Sequence, residues 1–234
     1  MNPRFLCAMW IVGLLCVPGA AWGQSTTPDA TRAVDTLPAT IPIFPLGDVV
    51  LFPDTSRPLQ IFEPRYLAMV ADALKGDRVI GMVLLRPGYE AAYEGRPPVY
   101  PIGCAGAITD VKELPDGRYL IMLRGLVKFR VNSEDQSHAY RLARVETIPE
   151  APTDEDRVAL RQWRLRLEAL LAPAVPSRTD PPPSALSDED LVNMLAQNLD
   201  IEPLARQDLL ERKGLLARSE ALIELLKLKA APRR

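Results

Sequence analysis

The chain has 234 residues, 47% of them hydrophobic and 25% charged, with a formal net charge of −2. That is enough apolar material for a packed core in one large or two small domains. The near-neutral balance argues against a dedicated nucleic-acid binder, which carries a basic excess or a concentrated basic face.

Residues 1–23 are a different material from the rest. Arg4 provides a positive start, Phe5 to Val17 form an uncharged apolar run, and Pro18-Gly19 break it. Ala21 and Gly23 then place small residues at −3 and −1 of a cut before Gln24, the layout of a cleavable secretory signal peptide. A retained anchor is the alternative, but the run falls short of the ~20 residues a spanning helix needs. Lipidation at Cys16 lacks the small residue expected just before it. The expectation is a periplasmic or secreted protein, cut between Gly23 and Gln24, with no stable membrane span afterwards. ATP-driven work is disfavoured in that compartment. Such a mature chain keeps one cysteine, Cys104, and so no intrachain disulfide.

Residues 24–40 are polar, Thr-rich and aperiodic, and read as a flexible tether. From Ile41 the texture is that of short strands. IPIFPL carries Pro42 and Pro45, which are barred from central donor positions and suggest an edge strand or barrel rim. DVVLF and RPLQIF follow as two more strand-like runs. In FEPRYLAMVADALKG, Pro64 fits the first helical position. Leu67, Val70, Ala71 and Leu74 give one apolar face, and Gly76 suits a left-handed C-terminal residue.

RVIGMVLL reads as a strand covered on both faces. A loop with Tyr89, Tyr93 and Tyr100 follows, its tyrosines open to either packing or ligand contact. IGCAGAITDVKEL and RYLIMLRG flank LPDGR, a hairpin signal with Gly117 free for positive φ. LVKFRV alternates, with Gly125 marking a bulge or bend, and YRLARVETI closes the set. Residues 41–149 thus predict six or seven strands and one helix, curled into a small barrel.

Residues 150–234 turn helical. DEDRVALRQWRLRLEALL starts with acids, which favour a helix N-terminus, and is expected to turn Val158, Leu165, Leu167 and Leu170 inward. PSRTDPPP is a stiff linker, Ser187 with Asp190 resembles a capping pair, and two more helices follow, the last past Gly214.

Reactive chemistry is hard to find. The single histidine, His138, sits in a polar turn beside Glu134 and Asp135, with no Cys or His pair at ligand spacing. Cys104 lies among small apolar residues with no cation nearby to lower its pKa. Ser56, between Asp54 and Arg57, reads as a turn hydroxyl, and Asp188-Glu189-Asp190 as helix capping. No nucleophile-elbow, zincin or phosphate-loop motif occurs. No metal and no cofactor is expected. Lys128, Arg130, Arg141, Arg144, Arg118 and Arg124 form a basic set on neighbouring strands, either a solvated outer face or a groove for acidic or extended peptides.

The run from PLGDVVLFPD through Arg65-Tyr66 to the DG…RGLVKFRV hairpin and the helical tail resembles the Lon protease N-terminal (substrate-binding) domain, over about Ile41 to Leu228. The resemblance implies an α+β fold, a PUA-like β pseudo-barrel followed by a C-terminal helical bundle. It implies a role in holding unfolded or degron-bearing polypeptide, not proteolysis. Full Lon enzymes carry ATPase and protease modules after this domain, and the sequence given ends at Arg234 without them, like the small stand-alone members. Export departs from the family pattern. The resulting expectation is a non-enzymatic peptide- or protein-binding module, or an adaptor for a separate protease. Its partners would be polypeptide substrates or a protein partner rather than nucleic acid, met at the corner formed by Phe62, Arg65 and Tyr66. The alternatives are an RNA-binding PUA-like module and an unrecognised hydrolase.

Overall fold

A computed structural model describes residues 37–89, 93, 95–171 and 186–230. The expected leader, most of the tether and the PSRTDPPP linker lie outside these residues. Six strands come first, interrupted by one helix: β1 Thr40–Leu46, β2 Ser56–Ile61, α1 Pro64–Lys75, β3 Val79–Leu84, β4 Ile102–Glu113, β5 Tyr119–Asp135 and β6 Arg141–Ile148. Four helices follow, α2 Asp154–Leu171, α3 Asp188–Asn198, α4 Pro203–Glu211 and α5 Gly214–Ala230.

The sheet closes on itself. β1 runs parallel to β3 and antiparallel to β6, and antiparallel pairs β3–β4, β4–β5 and β5–β6 complete a five-strand ring. β2 pairs outside the ring with the first half of β5. β5 serves both roles because it bends at Gly125–Leu126, where its register with β4 slips. The bulge read from Gly125 is therefore real, and so is the hairpin turn, with Gly117 at φ 82°.

One ring cluster fills the barrel: Ile41, Ile43, Val83, Ala105 and Ala143 surround Phe129, so each ring strand contributes. Glycine makes room for that ring. A Cβ on Gly103 would meet Met82 O at 2.3 Å and Phe129 Cζ at 2.8 Å. A second cluster, from Phe44, Phe52 and Tyr66 to Leu209, Leu222 and Ile223, lies between the strands and the helices. The sheet is thus covered on both faces, as the apolar run of β3 implies.

Several expectations are corrected. β1 is not an edge strand. Its first half pairs only with β6 and its second half only with β3, apart from Ile43, which pairs with both. Pro42 and Pro45 each face one neighbour strand, so neither is asked to donate on two sides. DVVLF is no strand but an irregular segment whose Val50, Leu51 and Phe52 are buried. Gln197 on α3 holds it, accepting from Phe52 N at 3.2 Å and Thr55 Oγ1 at 2.6 Å and donating to Ser56 O at 3.1 Å.

Pro64 does open α1, but the buried face is Tyr66, Met69, Val70 and Ala73, rotated from the expected stripe toward the larger side chains. Gly76 leaves the helix at φ −110°, ψ −134°, and the left-handed residue is Arg78 at φ 58°. On α2, Leu160 and Leu167 are buried while Val158 and Leu165 face solvent; the side chain of Leu170 is outside the described set. The Ser187–Asp190 cap forms, with Asp190 N donating to Ser187 Oγ at 3.0 Å.

Candidate functional site

The basic set does not assemble as a surface. Both Lys128 and Arg141 are buried, Lys128 where its amine reaches Arg212 O at the end of α4 and Arg141 against Glu134 and Pro97 O. Arg118 pairs with Asp116 and Arg124 with Asp54, while Arg130 and Arg144 are exposed on the β5–β6 ladder. Lys128 instead joins a buried charge cluster that sequence reading missed. Glu150, in the segment between β6 and α2, accepts from Lys128 Nζ at 2.7 Å and from Arg218 Nη2 at 2.7 and 2.9 Å. Arg218, wholly buried, also donates to Asn193 Oδ1 and Leu209 O. Burial pulls the Lys128 amine below its ordinary range, and the Glu150 carboxylate opposes it.

Near this cluster the Asp54 turn faces the start of α3. Burial, and then the Asp190 charge, push the Asp54 carboxyl above its ordinary range against the pull of Arg124. Glu189 rises likewise, first by burial, with Arg157 opposing and Asp54, Asp190 and Asp188 adding repulsion. A carboxyl whose folded pKa is raised binds more protons folded than unfolded, so its contribution is present below that window and lost as pH rises through it. Asp54→Asn, which suits the left-handed backbone there (φ 58°), is expected to raise the melting temperature at pH 7. The gain over the parent should vanish near pH 3; thermal denaturation at both pH values checks it.

An apolar concavity lies between the barrel and α4. The chain leaving β3 forms one wall: Leu85 bridges to Val99, and Arg86 N donates to Pro98 O at 2.9 Å. Pro87, Tyr89 and Tyr93 continue that wall, and Glu202, Pro203 and Leu204 at the start of α4 form the other. Pro203 at the first turn of α4 fixes the lip. The volume is about 520 Å³, within the range of about 300–1,000 Å³ of ligand clefts. Tyr89 and Leu204, from opposite walls, are each 48% exposed.

The predicted corner splits by role. Phe62 is 62% exposed and Tyr66 is 3% exposed, its ring 4.4 Å from that of Phe44. Arg65 lies between the Tyr66 and Tyr93 rings at 4.7 and 4.8 Å and donates to Glu63 and to Tyr93 O. The Tyr93 hydroxyl donates to Glu63 Oε1 at 2.7 Å, and the Tyr66 hydroxyl bonds that of Tyr93. The FEPRY corner thus holds Tyr93, a wall of the groove, in place. Sequence reading singled out Tyr89 and Tyr93 but not Leu204, whose exposure on a helix leaves no local signal.

No group of three or more metal-ligating side chains occurs among the described residues, and no described helix is long and apolar enough to cross a membrane. Burial pushes the Cys104 thiol far above its ordinary range.

These features define an α+β module, a β pseudo-barrel with C-terminal helices and a preformed groove between them. The family model of the ATP-dependent protease La (LON) substrate-binding domain matches residues 40–228, and the chain belongs to that family. Relatives include "Lon protease" of Anaeromyxobacter dehalogenans (strain 2CP-C), 27% identical over 89% of this chain and 25% of the relative. "Lon protease 2" of Myxococcus xanthus is 29% identical over 81% of this chain and 24% of the relative. The chain spans about a quarter of the length of these curated relatives. Among solved structures, the Lon N-terminal domain protein from Xanthomonas campestris matches with TM-score 0.58 and 25% identity, over 82% of this chain and 99% of that one. The N-terminal domain of Mycobacterium avium complex Lon protease matches in fold with TM-score 0.58 at 19% identity, over 80% of this chain and 98% of that one.

Proposed function

We propose that the groove between the barrel and α4 holds extended apolar segments of unfolded polypeptide, without catalysis of its own. The observation that carries this is the pair of half-exposed side chains, Tyr89 and Leu204, facing each other across an apolar cleft in a substrate-binding family. Tyrosine offers a large contact at low entropic cost. Phe62, exposed at the corner before α1, provides a further apolar contact, while Arg65 and Tyr66 act through Tyr93. Affinity for a transient hold is on the order of micromolar, about −8 kcal/mol. Delivery to a separate protease, the adaptor role, is a use of the same groove. The leader-like residues 1–23 support export with cleavage before Gln24, which N-terminal sequencing of the exported protein checks.

The groove is tested with a dye-labelled, reduced and unfolded reporter chain. Tyr89→Ser with Leu204→Ser is expected to weaken binding at least tenfold, about 1.4 kcal/mol, with little change in melting temperature because both side chains are half-exposed. An unchanged Kd in the double variant would refute the assignment.

A further inference from the structure

Along its whole length β2 pairs on one side only, with β5, and it ends the sheet order. Three observations show which of its backbone groups face the open side. Gly125 N donates to Thr55 O at 2.8 Å, in register with the pairs Arg57–Leu123, Leu59–Ile121 and Ile61–Tyr119, so the odd-numbered residues bond β5. The Gln197 side chain on α3 donates to Ser56 O at 3.1 Å, from the side away from β5. Pro58, which has no N–H, stands where the ladder with β5 asks for none.

The outward row is therefore Ser56, Pro58 and Gln60, running on to Phe62. Gln197 closes its start and Pro58 blunts its middle, as an edge requires if copies are not to stack on it. Pro58 O and the N–H and C=O of Gln60 stay open, with no hydrogen-bond partner among the described residues. The side chains beside them form an apolar face. Pro58 and Gln60 lie opposite Met122 and Leu120, and Pro58, Leu120 and Met122 line a shallow concavity of about 390 Å³. Phe62 and Leu120 are among the exposed large apolar side chains.

This edge is continuous with the groove. Phe62 precedes Glu63, whose carboxylate accepts from the Tyr93 hydroxyl at 2.7 Å, and Tyr93 is a wall of the groove. A chain that leaves the groove over Tyr93 arrives at Phe62, the end of the outward row.

We infer that a polypeptide held in the groove continues along β2 and adds to it as a strand, exchanging main-chain hydrogen bonds with Gln60 and Pro58 O. Its alternate side chains lie on Phe62, Pro58 and Leu120. The inference rests on the groove reading and specifies the ligand: a segment able to extend, selected by its backbone more than by its sequence. The few open groups suit a transient hold.

The test follows amide hydrogen exchange in the full chain by NMR, with and without a saturating amount of the unfolded reporter. The Gln60 amide is expected to slow at least tenfold when the reporter binds, while Leu59 and Ile61, already bonded to β5, change little. Gln60→Pro removes an N–H that β5 does not use and should weaken reporter binding about two- to tenfold, the size of one backbone hydrogen bond. An unchanged Gln60 amide under a bound reporter, or an unchanged Kd in a folded Gln60→Pro protein, overturns the strand. If Tyr89→Ser/Leu204→Ser still weakens binding in that case, the groove stands alone. Gln60 protection that appears without reporter and grows with protein concentration also overturns it, because a second copy would then hold the edge. If the reporter does not bind at all, both readings fall together.

Discussion

Glu150→Gln is expected to destabilise the protein by about 3–5 kcal/mol, the usual loss when one partner of a buried ion cluster is removed. Glu150 is the one carboxylate among the described residues that pairs with both Lys128, whose side chain is 3% exposed, and Arg218, whose side chain is 0% exposed. The amide keeps the shape but leaves two buried cations without a counter-charge. The contacts tie together β5, α3, α4 and α5, since Lys128 also donates to Arg212 O at 2.8 Å and Arg218 to Asn193 and Leu209 O. Urea denaturation gives the magnitude. Adding Lys128→Met to the variant should restore part of the loss, because one unpaired charge is then gone, and the two changes should not add. A loss below about 1 kcal/mol would mean that water in the adjoining cavity, which Glu150 and Lys128 both line, solvates the cluster.

The second large effect is at Gly125, where alanine is expected to cost about 3 kcal/mol through overpacking and lost backbone bonds. A Cβ there would lie 2.0 Å from Phe52 O and 2.8 Å from Phe52 C, both backbone atoms that cannot swing aside. The 52–55 turn would have to retreat, breaking Asp54 N to Gly125 O at 3.0 Å and Gly125 N to Thr55 O at 2.8 Å. Its retreat would in turn loosen the Gln197 contacts that hold the turn to α3. Gly47→Ala, with nothing within 4 Å of its added Cβ, is the matched control and should change stability by no more than about 0.5 kcal/mol. Chemical denaturation of both variants settles the comparison.

Local features of this fold are readable from local residues. Pro64 opens α1, the LPDG turn joins β4 to β5, and Ser187 caps α3, because each depends on a few neighbours and one backbone conformation. The Gly125 irregularity is legible for the same reason. The tertiary placement of outward residues is not. Alternation puts Lys128 outside the barrel correctly, yet outside is where the helices pack. The prolines of β1 argue for an edge, and only the split pairing of that strand shows how a central position tolerates them.

Arg218 had a faint signal: it falls between Leu215 and Leu222 on the buried stripe of α5, a position that asks for a buried partner. Its partner Glu150 is 68 positions away, and no spacing rule connects them. The groove has the same difficulty. Tyr89 and Tyr93 stand out in a loop, but the opposite wall at Leu204 comes from a helix more than a hundred residues later. The sequence marks the FEPRY corner, but the division between exposed Phe62, buried Tyr66 and the Arg65 stack on Tyr93 depends on a loop some thirty residues later, about which the corner's own residues say nothing.

The most direct measurement is a site-directed photocrosslink to an unfolded chain. With Cys7 and Cys16 replaced by Ser, the remaining native thiol, Cys104, is buried, so Leu204→Cys can carry a benzophenone at the groove lip. Leu165→Cys is the control, because Leu165 is 68% exposed on α2, away from the groove lining, and just as apolar. Groove binding predicts that the label at 204 crosslinks an unfolded reporter chain, that unlabelled unfolded chain competes it away, and that the label at 165 gives little product. Equal crosslinking from the two positions, or crosslinking from 165 alone, would contradict the account.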